Sequence, residues 1–186
     1  MRARNLLGVL AAFLLALSIG CSQNSTTTAD VKGNVSQALN NAGYKDISVA
    51  VNNDKELVTL TGDVKSQDDK DRVEKLAKQN AAGFVVSNEV GIRPEGVESQ
   101  ARNIDQNVDT AIEKDFKAVL IANRMDNQHI KFSAKNGVLT LHGKVDGAQT
   151  REKAEQLAAG VPNVQQVVNE LDVKNNKAQT KENPGS

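Results

Sequence analysis

ELVTLTGDV at residues 56–64 and GVLTLHGKV at residues 137–145 share the pattern T-L-x-G-x-V, and this recurrence decides how the chain is divided. Thr59 and Thr140, Leu60 and Leu141, Gly62 and Gly143, and Val64 and Val145 all stand 81 residues apart. The same offset, read without a gap, pairs Leu39 with Leu120, Glu74 with Glu155, Leu76-Ala77 with Leu157-Ala158, and Val86, Asn88 and Glu89 with Val167, Asn169 and Glu170. A period this long, present twice, describes a tandem pair of small domains rather than a solenoid.

Each copy changes its hydrophobic period in the same order. Val31, Val35, Leu39 and Ala42 mark one face of a helix that runs from near Asp30 to Gly43. Ile47, Val49 and Val51 alternate, as do Val58 and Leu60, which predicts two strands joined by a polar turn at Asn52 to Glu56. Ser66-Gln67-Asp68-Asp69 opens a second helix in the manner of a capping box, with Val73, Leu76 and Ala77 inward. Val86, Asn88 and Val90 form a third strand. In copy two the series is Ile112, Phe116 and Leu120; Ile130 and Phe132; Val138 to Val145; Ala154, Leu157 and Ala158; and, after Pro162-Asn163, the strand from Val167 to Val173. Ile104 and Val108 extend its first helix toward the N-terminus. The expectation is an α+β chain of two αββαβ units. Gly62 and Gly143 then mark a bend or a close backbone approach that turns the hairpin strand toward the second helix.

Composition narrows the function. Apolar residues are 39% and charged residues 25%, as in folded soluble proteins. Aromatics are 3% with no Trp, so there is little material for stacking on bases or sugars. Basic and acidic residues balance at 23 each, and loss of a leader containing Arg2 and Arg4 leaves a small net negative charge. No general attraction to nucleic acid follows.

Met1 to Asn5 is basic and Leu6 to Ile19 is apolar, a run too short for a membrane-spanning helix but suited to a signal peptide over residues 1–20. Ser18-Ile19-Gly20-Cys21 resembles a bacterial lipobox, which implies cleavage before Cys21 and its lipidation. Ser22 in place of Asp then implies transport to the outer membrane. Residues 21–27 read as the lipidated cysteine and a flexible spacer, and 175–186 as a disordered tail.

Candidate chemistry is sparse. His129 lies in a polar loop and His142 on the strand face opposite Leu141. Asp68, Asp69, Asp71 and Glu74, interleaved with Lys70, Lys75 and Lys78, read as a solvated helical face with local ion pairs. Asn88-Glu89 and Asn169-Glu170 recur at matched sites and suggest a structural hydrogen-bonding role. No phosphate loop, CxxC pair, nucleophile elbow or HExxH helix is present. The expectation is a protein that is not an enzyme, with no metal and no cofactor.

The element order, the V-x-L-x-G-x-V signature and the V-x-N-E ending resemble the BON domain, and with the lipobox the chain resembles dual-BON-domain envelope lipoproteins. The resemblance implies two modules, residues 28–93 and 104–174 with a linker at 94–103, each a three-stranded sheet packed against two helices. The first copy reads Ala81-Ala82-Gly83-Phe84 where the second has the more typical Val161-Pro162-Asn163-Val164, which leaves the start of its third strand open. The resemblance also implies a non-enzymatic function, binding anionic phospholipid or membrane-associated proteins and supporting outer-membrane integrity under stress. The candidate headgroup contacts are Lys114, Lys117 and Arg124 on helix one of copy two, where Glu113 and Asp115 interrupt the patch. Copy one carries Lys32 with Gly33, Asn34 and Gln37 there. The alternative is a periplasmic protein-interaction or chaperone-like module that contacts envelope proteins through an edge strand or helical face.

Overall fold

The computed structural model describes residues 28–174; the expected leader, Cys21, spacer and tail lie outside the described residues. Module one runs α1 (Thr28–Asn41), β1 (Ser48–Asn52), β2 (Leu57–Val64), α2 (Gln67–Asn80) and β3 (Val85–Ile92). Module two runs α3 (Glu98–Ala122), a 3-10 turn at Asp126–Gln128, β4 (Lys131–Lys135), β5 (Val138–Val145), α4 (Ala148–Ala159) and β6 (Gln166–Val173). Each sheet has three strands, in the orders β1-β2-β3 and β4-β5-β6. The first pair in each is antiparallel and the second parallel. The parallel pair follows from the intervening helix, which carries the chain back to the starting end of the sheet.

Period-2 alternation along the strands and period-3.6 spacing along the helices meet in one core per module. Val58, Leu60, Val86 and Val90 pack with Val35 and Leu39 of α1 and Val73 and Ala77 of α2. In module two Leu139, Leu141 and Leu171 meet Ile112, Phe116 and Leu120 of α3 and Ala154 and Ala158 of α4. The Phe116 and Phe132 rings stack edge to face at 5.0 Å and 86°. Ser66 caps α2 by accepting from the Asp69 amide at 3.2 Å. The Asp69 carboxylate turns back to the Ser66 hydroxyl and that of Tyr44.

The two copies do not keep one register throughout. Across the β2/β5 ladder the offset is 81, but Ile47 and Val49 are replaced in the first strand by Ile130 and Phe132, 83 residues on. Two residues have been added before β4 and two removed from the hairpin, so the gapless alignment expected from the sequence is corrected here. The shortened turn is Asn136-Gly137, with φ of 48° and 81°, the left-handed pair a type I′ turn requires. A further shift precedes the last strand. Phe84 donates to Ala81 O as Val164 does to Val161 O, 80 residues apart, yet Val85 and Gln166 start their ladders 81 apart. Gln165 is the extra residue. β3 and β6 therefore start at equivalent ladder positions despite the divergent turns.

In the turn before β3, Ala82 and Gly83 have φ of 51° and 90°. A Cβ in that region is unfavourable by about 1–2 kcal/mol, and Asn tolerates it better. Ala82→Asn is therefore expected to stabilise module one by up to about 1 kcal/mol, read as a raised thermal midpoint; an unchanged or lowered midpoint would count against the strain.

The stretch expected as a linker, 94–103, is helical from Glu98. No Gly or Pro interrupts residues 98–122, and the Gly96 amide donates to the Glu98 carboxylate at 2.9 Å. The added turns are held against module one by Arg93 with Asp105 at 2.5 Å and Arg102 with Asp63 at 3.2 Å.

Candidate functional site

Gly62 and Gly143 have φ of 136° and 117°, and a Cβ on them would lie 2.7 Å from Asp46 O and 2.6 Å from His129 O. Of the two roles expected, close backbone approach is the one realised. The neighbour is the chain entering the first strand of each hairpin, not the second helix. His129 holds φ 54° beside this contact, and His142 is a half-exposed strand residue 3.2 Å from the Glu170 carboxylate.

Asn88 and Asn169 make the same three bonds. Each amide donates to a backbone carbonyl of the helix that precedes its strand, Lys70 O of α2 or Arg151 O of α4 at 3.2 Å, and to a glutamate, Glu74 at 3.2 Å or Glu155 at 2.8 Å. Each Oδ1 accepts the amide two residues on, Val90 or Leu171. Burial works against the Glu74 carboxylate, but bonds from Lys78 and Asn88 outweigh it and hold its pKa below the ordinary value.

Lys114 and Lys117 are exposed on α3, and Arg124 follows its C-terminus. Positions 114, 117 and 121 fall on one side of α3 at helical spacing, whereas Arg124, expected on the same helix, stands past its end with a left-handed φ of 57°. Ile121 between them is 56% exposed. Beside it runs a groove of about 340 Å³ lined by Lys117, Leu120, Ile121, Met125, Ile130 and Phe132, with Asp126 at the rim. Among the described residues none of the three cations makes an ion pair or side-chain hydrogen bond. Glu113, which the sequence places in this patch, instead accepts from Ala134 N at 2.9 Å and serves the edge of β4. Asp115 stays exposed. The matched positions in module one are Gly33, Ser36, Asn40 and Gly43, all uncharged.

Behind this face the modules are joined by residues the sequence did not single out for function. Asp109 of α3 grips the Asn136-Gly137 turn, accepting from both amides at 2.9 and 3.0 Å. Asn136 reaches into module one, its side chain donating to Glu89 O at 2.7 Å. Lys70, expected on a solvated face, is 6% exposed and donates to Asn136 O at 3.2 Å and Gln165 at 3.4 Å. Its solvated role is corrected because module two covers this side of α2. Burial pushes the Lys70 ammonium below the ordinary lysine pKa, against the pull of Asp105, Glu74 and Asp109. The helix-free sheet faces meet through Leu57, Val138 and Val168. Lys55 with Asp172 and Lys135 with Glu89 close the rim. A helical-period reading could not find these contacts: Asp109 meets a turn of its own module that only packing brings alongside α3, and the partners of Asn136, Lys70, Lys55 and Lys135 lie in the other module. Among the described residues no group of His, Cys, Asp or Glu is placed to hold a metal ion, and no helix is long and apolar enough to cross a membrane.

Two αββαβ modules sharing a strand glycine pressed on a backbone carbonyl define a class, and the chain belongs to the BON domain family, whose model matches residues 25–94 and 108–175. It is similar to Osmotically-inducible protein Y of Escherichia coli (strain K12), 30% identical over 152 residues that cover 81% of this chain and 73% of that protein. Among solved structures, CdsD, a structural protein of the type III secretion system of Chlamydia trachomatis, aligns over 77% of this chain and 92% of its own at 13% identity and a TM-score of 0.32. A structure of the C-terminal domain of CdsD aligns over 74% and 61% at 17% identity and a TM-score of 0.30.

Proposed function

We propose that this chain is a non-catalytic envelope lipoprotein, anchored through Cys21 to the outer membrane and facing the periplasm, that binds anionic phospholipid through module two and supports membrane integrity under stress. The observation that carries the reading is the side of α3 on which Lys114 and Lys117 stand free of ion pairs around the exposed Ile121, with Arg124 likewise unpaired just past the end of the helix. Cations beside an anionic surface contribute about 1 kcal/mol each, and an apolar residue at the same level can enter the interfacial layer. The Glu113 carboxylate is turned toward β4, where it accepts from Ala134 N, rather than toward Lys114 or Lys117. The similarity to an osmotically inducible protein agrees with a stress role. The acyl anchor would hold this weak site near the bilayer and raise its occupancy.

Replacing Lys114, Lys117 and Arg124 with Gln is expected to reduce binding of acyl-free residues 22–186 to phosphatidylglycerol vesicles by roughly 100-fold, from about 1 kcal/mol per cation. Flotation with phosphatidylcholine vesicles as reference measures it. Equal binding at matched salt by the folded triple variant would sink the assignment, as would absence of anionic-vesicle binding by the wild-type chain at low salt.

A further inference from the structure

We propose that the outer edge of β3 is a strand-pairing surface that module two covers within the chain, and that when uncovered it pairs with β3 of a second copy. Val85 N donates to Glu56 O and Arg93 N to Val64 O, so the odd-numbered residues of β3 face β2. Val86 and Asn88 therefore direct their backbone groups outward. Both are met by one side chain. Gln166 Nε2 donates to Val86 O at 2.6 Å and Gln166 Oε1 accepts from Asn88 N at 3.1 Å. A carboxamide offers the donor and acceptor of a peptide unit, so Gln166 occupies the place of a neighbouring strand.

The covered strand is one that needs covering. VVSNEVGI spans eight residues, rich in β-branched side chains, with a single charge and no Pro. Such an edge is a template for pairing with another chain. The other parallel edge strand, β6, carries Glu170 and Asp172, and the Arg151 side chain lies on Asn169 O at 3.3 Å. Charge blunts β6, whereas module two blunts β3.

The cover can lift without unfolding either module. Each module has its own core, and the apolar part of the joint is Leu57, Val138 and Val168. The rest is polar, with ion pairs that salt screens. The second copy is the partner that fits because β3 satisfies itself in antiparallel register about Asn88. That register sets Val86 opposite Val90 and Glu89 opposite Ser87, so no like charges face each other. The contact is isologous and closes after two copies.

The test uses the full chain with Gln166→Asn, which keeps the carboxamide but withdraws it by one methylene. Loss of one backbone partner corresponds to roughly ten-fold faster amide exchange at Asn88 in dilute solution. On concentration the mass should rise to that of a dimer by sedimentation equilibrium, with the Asn88 amide protected again. Unchanged exchange at Asn88 overturns the cover; faster exchange in a chain that stays monomeric, or a dimer that leaves Asn88 exchanging, overturns the pairing. If circular dichroism shows Gln166→Asn unfolded, Lys70→Gln loosens the same joint from α2 and is judged by the same readouts.

Discussion

Gly143→Val is expected to lower the stability of module two by about 2 to 5 kcal/mol, from a left-handed backbone penalty of about 1–2 and overpacking of about 1–3. The obstacle is backbone. A Cβ on Gly143 would lie 2.6 Å from His129 O, and no rotamer change removes that atom. Gly143→Ala already introduces the offending carbon and should carry much of the loss. For a domain of this size each kcal/mol moves the thermal midpoint by about 4–8 °C, so the effect is large and simple to measure. Gly62→Ala should do the same to module one, where the opposing atom is Asp46 O at 2.7 Å. A midpoint for Gly143→Val within a few degrees of wild type would show that the segment entering β4 yields freely.

Asp109→Ala is expected to cost about 2 to 4 kcal/mol and to loosen the joint. Its carboxylate accepts two amides of one turn, and hydrogen bonds to a charged group are worth about 1.5–3 kcal/mol each without adding fully. Gly137 is buried, so its freed amide does not simply regain water. Asp109→Asn keeps one acceptor and should lose about half as much, which separates hydrogen bonding from packing. Denaturant unfolding gives the energies, and faster exchange at Gly137 and at Asn88 together would link the turn to the inter-module contact. Faster exchange at Gly137 alone would show that the turn and the joint are independent.

The parts legible in the sequence were those whose signals are local. Val31, Val35 and Leu39, or Val58 and Leu60, announce a helix or strand by spacing alone, because the period of buried residues follows from backbone geometry. The recurrence of T-L-x-G-x-V exposed both modules and their glycines. Lys114, Lys117 and Arg124 were visible as cations at helical spacing, although the helix stops before Arg124. Their freedom from ion pairs, the groove beside Ile121 and the diversion of Glu113 to Ala134 were not, since each depends on which elements lie alongside α3.

By itself the sequence determined the α+β class, the element order, the division into two copies and the two strand glycines that a backbone carbonyl approaches closely. Only the tertiary structure decided how the copies meet. The shortened Asn136-Gly137 turn, the inserted Gln165 and the added turns of α3 all break the repeat, and all lie at the joint. A repeat alignment sets such differences aside as noise. Lys70 and Gln166 likewise carry no local sign of their role, because a buried ammonium or a carboxamide standing in for a strand is defined by its partner, and here every partner belongs to the other module.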